Sequence, residues 1–163
     1  MTRTERPPST RSRVLLPAAV LGLGLGAFAD GIVLHQVLQW HHLVSAREPS
    51  DSVAGLELNT LADGLFHVAA WAVVAGALAW LWTRRGELPG VPGRALVGAA
   101  LVGWGTFHVV DQVLFHLLLE AHHIRPGEHE QLYDWGYTAL GVLMVAAGLA
   151  LSSRMQEDVA SGR

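Results

Sequence analysis

The stretch ADGIVLHQVLQWHH, Ala29 to His42, places one aspartate and three histidines inside an apolar segment near the start of the chain. The residues that lead into it, LGLGLGAFAD, resemble a signal peptide that ends in a small-residue cleavage site. The stretch is therefore either the end of a removable leader or part of a helix that carries a buried polar site. The rest of the sequence favours the second interpretation.

Composition and hydropathy predict a membrane protein. Hydrophobic residues make up 51% of the 163 residues and charged residues 15%, against roughly 25% charged in an average soluble protein. Four apolar segments approach or exceed the ~20 residues that a spanning helix needs, and their lack of polar alternation disfavours strands. They cover about 14–38, 60–82, 95–119 and 135–151. We predict an all-α fold, an integral membrane four-helix bundle whose surroundings are the lipid bilayer.

The cysteine count and the net charge narrow the possible functions. The chain has no cysteine, which excludes disulfides, thiolate metal sites and a cysteine nucleophile. Its net charge of -3 gives no general reason to expect a nucleic-acid partner.

The polar pattern of the first segment occurs a second time. Both copies read D-x4-H-x5-H-H, and they comprise Asp30, His35, His41 and His42, then Asp111, His116, His122 and His123. A loop and a helix with an early aspartate, Asp63 or Asp134, follow each copy. We predict two repeated helical hairpins, related as parallel repeats by an axis along the membrane normal. Because the second copy lies deep in the chain, we expect the first to lie on an intact, uncleaved helix.

The arginines predict the domain organisation and the orientation. We expect one transmembrane domain over 14–151, with repeat halves at about 14–83 and 95–151, between cytoplasmic tails at 1–13 and 152–163. Nine of the eleven arginines lie in the tails and the 84–94 loop. The positive-inside rule therefore predicts a multi-pass protein of the cell (inner) membrane with both termini in the cytoplasm. The polar motifs then lie in the extracytoplasmic half of the bundle.

The histidines and aspartates are the candidate functional residues. At ~100° per residue, the polar groups of each motif share one helical stripe, and Asp63 stacks with His67 on the next helix. Ionisable residues at membrane depth are functional candidates by default. The predicted metal ligands are His35, His41, His42, His67, His116, His122, His123, Asp30, Asp63 and Asp111. Asp134 is a weaker member, and the loop residue His129 is expected to be solvated.

Three explanations of the cluster remain open at this point. Imidazole and carboxylate suit a transition metal (Zn, Fe, Mn or Cu(II)), and the duplication would supply a dinuclear centre with a redox or metal-handling role. Two histidines from different helices would instead ligate haem. The third explanation is structural: Asp–His hydrogen bonds would fix helix register in a non-catalytic subunit of a membrane complex or a homo-oligomer. The pattern alone does not predict an enzyme.

The segments DGIVLHQVLQWHH, NTLADGLFH and GWGTFHVVDQVLFHLLLEAHHIR resemble a known family. They are similar to a family of small bacterial membrane proteins of unknown function, domain-of-unknown-function family 2243, over about Leu21 to Leu151. The resemblance implies a four-helix integral membrane protein and supplies no activity. The family more often has Asn where this chain has His108 and Gly where it has Gln112, so the resemblance assigns His108 no role.

Overall fold

Every regular element in residues 10–161, the part of the chain that the computed structural model describes, is helical. Helix α1 spans Thr10–Asp30, α2 spans Val53–Thr83, α3 spans Gly93–Asp111 and α4 spans Glu130–Ser161. Two π-helical segments, Gly31–Val37 and Gln112–Leu118, continue α1 and α3, and one 3-10 turn covers Leu88–Gly90. Of the predicted cytoplasmic tails, residues 1–9 and 162–163 lie outside the described residues, and side chains are described for 13–152.

The four helices are long and apolar enough to cross a membrane, which confirms the predicted fold class. The candidate spans are Arg13–Val37, Val53–Thr83, Gly93–Leu118 and Glu130–Ser152. The second and fourth begin earlier than the hydropathy predicts. For α2 the reason is the Ser52 cap, whose side chain accepts a hydrogen bond from the Gly55 backbone N–H and so starts the helix among polar residues.

The first and third helices form the centre of the bundle. In the most apolar window of each span, 44% of the α1 residues and 39% of the α3 residues are buried, against 11% in α2 and in α4. Backbone contact between the central helices is close: a side chain on Gly22 would collide with Ala100, and one on Gly103 with Ala19. Helix α2 packs against α1, and α4 against α3. The outer faces of α2 and α4 carry exposed leucine, valine and tryptophan side chains, as expected for contact with lipid.

The polar motifs do not continue along straight α-helices, and on this point the predicted stripe is wrong. The chain leaves the helix at Leu38 and Leu119, so that His41, His42 and their second-copy counterparts lie in loops. Gln39 and Glu120 reverse the chain with φ angles of 49° and 47°. The reversal folds each histidine pair back toward its helix. The axial spacing of a straight helix therefore does not govern which histidines can meet.

Candidate metal centre

The first motif is brought together by π-helical winding. In an α-helix, residues five apart point ~140° away from each other, which would separate Asp30 from His35. Hydrogen bonding from i to i+5 begins directly after Asp30 and turns both side chains to the same face. His35 Nε2 lies 3.3 Å from Asp30 Oδ2. In the second motif, His116 Nε2 lies at the same 3.3 Å from Asp111 Oδ2.

Asp63 on α2 fixes the orientation of the first motif. Its carboxylate accepts hydrogen bonds from His35 Nδ1 at 2.8 Å, His42 Nδ1 at 2.7 Å and the Leu43 backbone N–H at 2.9 Å. Asp63 is only 1% exposed, so these three donors compensate for its burial. Since a carboxylate accepts the Nδ1 hydrogen, His35 carries its proton on Nδ1 and presents a free lone pair on Nε2 when neutral.

Asp134 on α4 makes the equivalent contacts in the second motif. It accepts hydrogen bonds from His116 Nδ1 at 3.1 Å, His123 Nδ1 at 2.7 Å and the Ile124 backbone N–H at 2.9 Å. The early aspartates of α2 and α4 therefore have the same role in their two halves. Asp134, expected to be a weaker member of the candidate site, thus makes the same set of contacts as Asp63.

The two halves are joined through His41 and His122. His41 Nδ1 donates to the Ile124 backbone carbonyl at 2.8 Å, and His122 Nδ1 donates to the Leu43 carbonyl at 3.0 Å. Each histidine thus hydrogen-bonds to the loop of the opposite half. Because a carbonyl only accepts, the proton of each ring lies on Nδ1, and both Nε2 atoms are left without hydrogen when the rings are neutral.

Four imidazoles converge between the halves. Ring centroids are 4.5 Å apart for His35 and His41, and 4.6 Å apart for His116 and His122. His41 Nε2 and His122 Nε2 are buried and, among the described residues, have no hydrogen-bond partner, whereas His35 Nε2 and His116 Nε2 are buried and face the Asp30 and Asp111 carboxylates at 3.3 Å. One ligand atom from each of Asp30, His35 and His41 lies within 4.8 Å of the others, and the same holds for the second-copy residues. We call these sets the Asp30 group (Asp30, His35, His41) and the Asp111 group (Asp111, His116, His122).

The environment of His41 and His122 favours the neutral form of both rings. Burial, the charge of His122 and the charge of His35 lower the pKa of His41 to about 3. Burial also lowers the pKa of His122. Neutral imidazole is the form that binds a metal ion, so these rings are available as ligands at neutral pH without losing a proton.

The remaining predicted ligands lie around the two groups. His42 and His123 donate their Nδ1 hydrogens to Asp63 and Asp134. His123 and Asp134 also come within 4.8 Å of His116, a third combination with metal-ligand spacing. His67 Nδ1 donates to the Asp63 backbone carbonyl at 2.7 Å, and its ring packs near Phe28 and Phe66. It joins neither group.

Sequence reasoning missed the phenol that adjoins the centre. The Tyr137 hydroxyl donates to Asp30 Oδ1 at 3.1 Å across the bundle. The Tyr137 ring stacks on His108 with centroids 3.9 Å apart, and Trp104 Nε1 donates to His108 Nε2 at 3.0 Å. One sequence signal was available. An aromatic residue lies three positions after each early aspartate, and this residue is Tyr137 after Asp134 but Phe66 after Asp63. The Tyr137 hydroxyl thus hydrogen-bonds to the Asp30 group and makes no hydrogen bond to the Asp111 group.

Comparison with known proteins gives a single result. A family model described as a predicted membrane protein (DUF2243) matches residues 17–155, a range that includes both motifs and both early aspartates. No curated protein and no solved structure matches the chain. The chain belongs to DUF2243, a family of predicted membrane proteins.

Proposed function

We propose that the protein binds two transition-metal ions, one in the Asp30 group and one in the Asp111 group, and that it has a redox or metal-handling role. One observation carries the proposal: two buried Nε2 atoms without hydrogen-bond partners, on His41 and His122, converge with the Nε2 atoms of His35 and His116, which face buried carboxylates. Leaving a buried polar atom unpaired costs about 1–3 kcal/mol. The unpaired atoms of His41 and His122, and the convergence of all four rings on Asp30 and Asp111, are accounted for if the Nε2 lone pairs coordinate metal.

The donor set fits the proposed ions. Each group offers two imidazoles and one carboxylate, a combination that suits Fe(II) and Zn(II) and leaves coordination positions open. Asp63 and Asp134 hold the Nδ1 hydrogens of His35 and His116, as carboxylates do for metal-bound histidines elsewhere. Bound ions would supply Lewis acidity or electron transfer, while these residues fix the ring orientations.

The geometry favours ions over haem and over a purely structural cluster. His41 and His122 stack with centroids 4.6 Å apart, which leaves no space for a porphyrin between these two rings. A structural cluster would use both nitrogens of each imidazole in hydrogen bonds, whereas here Nε2 of His41 and Nε2 of His122 are unpaired. Haem ligation and a non-catalytic assembly role, in a membrane complex or a homo-oligomer, are therefore less favoured.

We further propose that the centre opens toward the extracytoplasmic side of the inner membrane and that both termini are cytoplasmic. The support is the arginine distribution, since Arg84, Arg85 and Arg94 lie at the opposite end of the bundle from the histidines. Because the chain has no cysteine, single-cysteine variants give an unambiguous test. An impermeant maleimide should label Ser50→Cys in intact cells and label Gly86→Cys only after lysis. The reverse pattern would refute this orientation.

Elemental analysis of full-length protein, purified in mild detergent, tests the metal proposal. We expect about two equivalents of metal per chain in the wild type and in His129→Ala, an exposed loop histidine that serves as control. The double variant Asp30→Ala/His116→Ala should lose both ions. Metal well below one equivalent in the wild type, unchanged in the double variant, would refute metal binding. An optical spectrum of the same sample tests haem directly.

A further inference from the structure

A cavity of about 460 Å³ lies beside the Asp30 group. Helices α1 and α4 both pack on α3, and the cavity lies between them, lined by residues such as Val33 on the π-helical segment after α1, Trp104 on α3 and Leu140 on α4. Its volume is within the usual range for small-molecule sites. Because the lining residues belong largely to the candidate membrane spans, a ligand would enter from the lipid rather than from water.

The polar groups of the cavity are gathered at one place. Asp30, His108 and Tyr137 line it and contact one another through the hydroxyl–carboxylate hydrogen bond and the stacked rings. Asp30 is 5% exposed and His108 is 7% exposed. His108 Nδ1 is buried and has no hydrogen-bond partner among the described residues. An apolar cleft with one unsatisfied polar corner fits an apolar molecule that has one polar end.

The charge of Asp30 and the aromatic side chains of the cavity wall limit which ligands the cavity can bind. The carboxylate of Asp30 repels an anionic headgroup at this corner of the cavity. Arg125, which lies over the Trp40 and Tyr133 rings and donates a hydrogen bond to the Tyr133 hydroxyl, is not itself among the lining residues. A hydroxyl, in contrast, can donate to a carboxylate and accept from another group. Four aromatic residues, Trp40, Trp104, Tyr133 and Tyr137, line the walls and favour a flat ring.

Among the described side chains, the other half of the molecule has no such polar corner. Phe66 occupies the position of Tyr137, and Leu65 that of Gly136, when the early aspartates of α2 and α4 are aligned. There, Phe66 packs against Ala27, Ala70 and Phe107 in an apolar cluster. The chemical difference between the halves is thus concentrated beside Asp30.

We propose that this cavity binds an uncharged, membrane-dissolved phenol of the quinol type, with its hydroxyl at Asp30, His108 and Tyr137 and its ring among the aromatic residues. The inference does not require that the neighbouring groups hold metal. If they do, the ligand hydroxyl would lie next to the Asp30 group, and the Asp111 group would have no equivalent ligand.

A substitution of Gly136 gives the most specific test of ligand binding in the cavity. It lines the cavity, and a β-carbon added to it would meet no atom within 4 Å, so Gly136→Leu should fill the cavity without disturbing the helix contacts. Gly64→Leu is the matched control, because Gly64 lies on α2 away from this cavity and is equally unobstructed. Leu140→Trp, at a half-exposed lining residue, is a second way to block the cavity.

The experiment measures equilibrium binding of a decyl-substituted benzoquinol and of decanoate to the full-length protein in the same detergent. Wild type and Gly64→Leu should bind the quinol at least tenfold more tightly than Gly136→Leu or Leu140→Trp does, with metal content unchanged in all four. Decanoate should bind wild type at least tenfold more weakly than the quinol. Equal quinol binding in the blocked variants and the control, or equal binding of decanoate and quinol, would overturn the proposal. Quinol binding without metal would refute only the metal proposal.

Discussion

The imidazole rings of His41 and His122 stack face to face, with centroids 4.6 Å apart and planes 7° from parallel. Each ring is held by a backbone carbonyl of the opposite half, at Ile124 and Leu43. Two cationic rings would repel each other at this distance, so the arrangement requires that at least one is neutral. The stacked pair therefore connects the two candidate metal groups, and at least one of its two rings is neutral.

Removing the His41 ring from the stacked pair should weaken the binding of only one of the two proposed metal ions. In His41→Ala, the Asp30 group loses an imidazole while the Asp111 group keeps all three ligands. We expect the metal content to fall from about two equivalents to about one, because a metal site that loses one of three protein ligands binds weakly. Elemental analysis beside His129→Ala checks this. An unchanged metal content would contradict the assignment of His41.

The early aspartates, Asp63 and Asp134, should affect how tightly metal binds but not how many metal ions bind per chain. Asn in place of Asp63 retains the shape but brings an NH₂ group toward the donors of His35 and His42. We expect Asp63→Asn and Asp134→Asn each to weaken metal binding by about 10–100-fold, as for other groups that orient ligands. Chelator competition measures the affinity, and Asp51→Asn in the exposed loop is the control. Affinity equal to that of the control would argue against the orienting role.

The backbone contact between α1 and α3 should tolerate no side chain. A β-carbon on Gly103 would collide with the Ala19 carbonyl, whereas one on Gly76 would meet nothing within 4 Å. We expect Gly103→Leu to lower the thermal unfolding midpoint by well over 5 °C or to prevent folding, since overpacking costs about 1–3 kcal/mol or more. Gly76→Leu should unfold like the wild type. Similar midpoints for both variants would contradict the close helix packing.

The chain reversal at Gln39 should reject β-branched residues. Its φ angle of 49° lies in the left-handed region, which costs a side chain roughly 1–2 kcal/mol and a β-branched one more. Gln39→Ile should therefore lower both stability and metal affinity, because His41 is displaced, whereas Gln39→Gly should retain both. Leu38→Ile, where φ is -83°, is the adjacent control. Thermal unfolding and chelator competition report the two effects.

The lowered pKa of His41 predicts a pH dependence of the metal-free protein. The unfolded chain protonates this histidine below about pH 6.5, but the folded protein does so only near its pKa of about 3. The unfolded state binds more protons between these values, so this residue makes stability fall as pH decreases from about 6.5 toward 3. The thermal midpoint of wild type minus that of His41→Gln, measured across this range, should decrease accordingly. A constant difference would contradict the neutral, buried state.

Several features followed from sequence because they depend on local composition. The apolar segments predicted four spanning helices, since the length of a spanning helix is set by the bilayer. The duplicated motif predicted the residues of both groups, including Asp30 and Asp111, because equal offsets recur only where the same side chains are required in both halves.

Other features depend on contacts between distant parts of the chain. The sequence pattern does not predict the reciprocal hydrogen bonds from His41 to Ile124 and from His122 to Leu43, because each bond joins residues about 80 positions apart. The position of the Tyr137 hydroxyl beside Asp30 is equally non-local.

The sequence by itself determined that this is a four-helix membrane protein with a paired histidine and aspartate motif, because hydropathy and spacing act along the chain. Only the tertiary structure decided which nitrogen of each histidine is free. That choice depends on which acceptor binds the other nitrogen, and the acceptors belong to α2, α4 and the opposite loop. The π-helical turns and the chain reversals at Gln39 and Glu120 also depend on the tertiary structure. They become favourable only when the histidines have hydrogen-bond partners elsewhere in the fold.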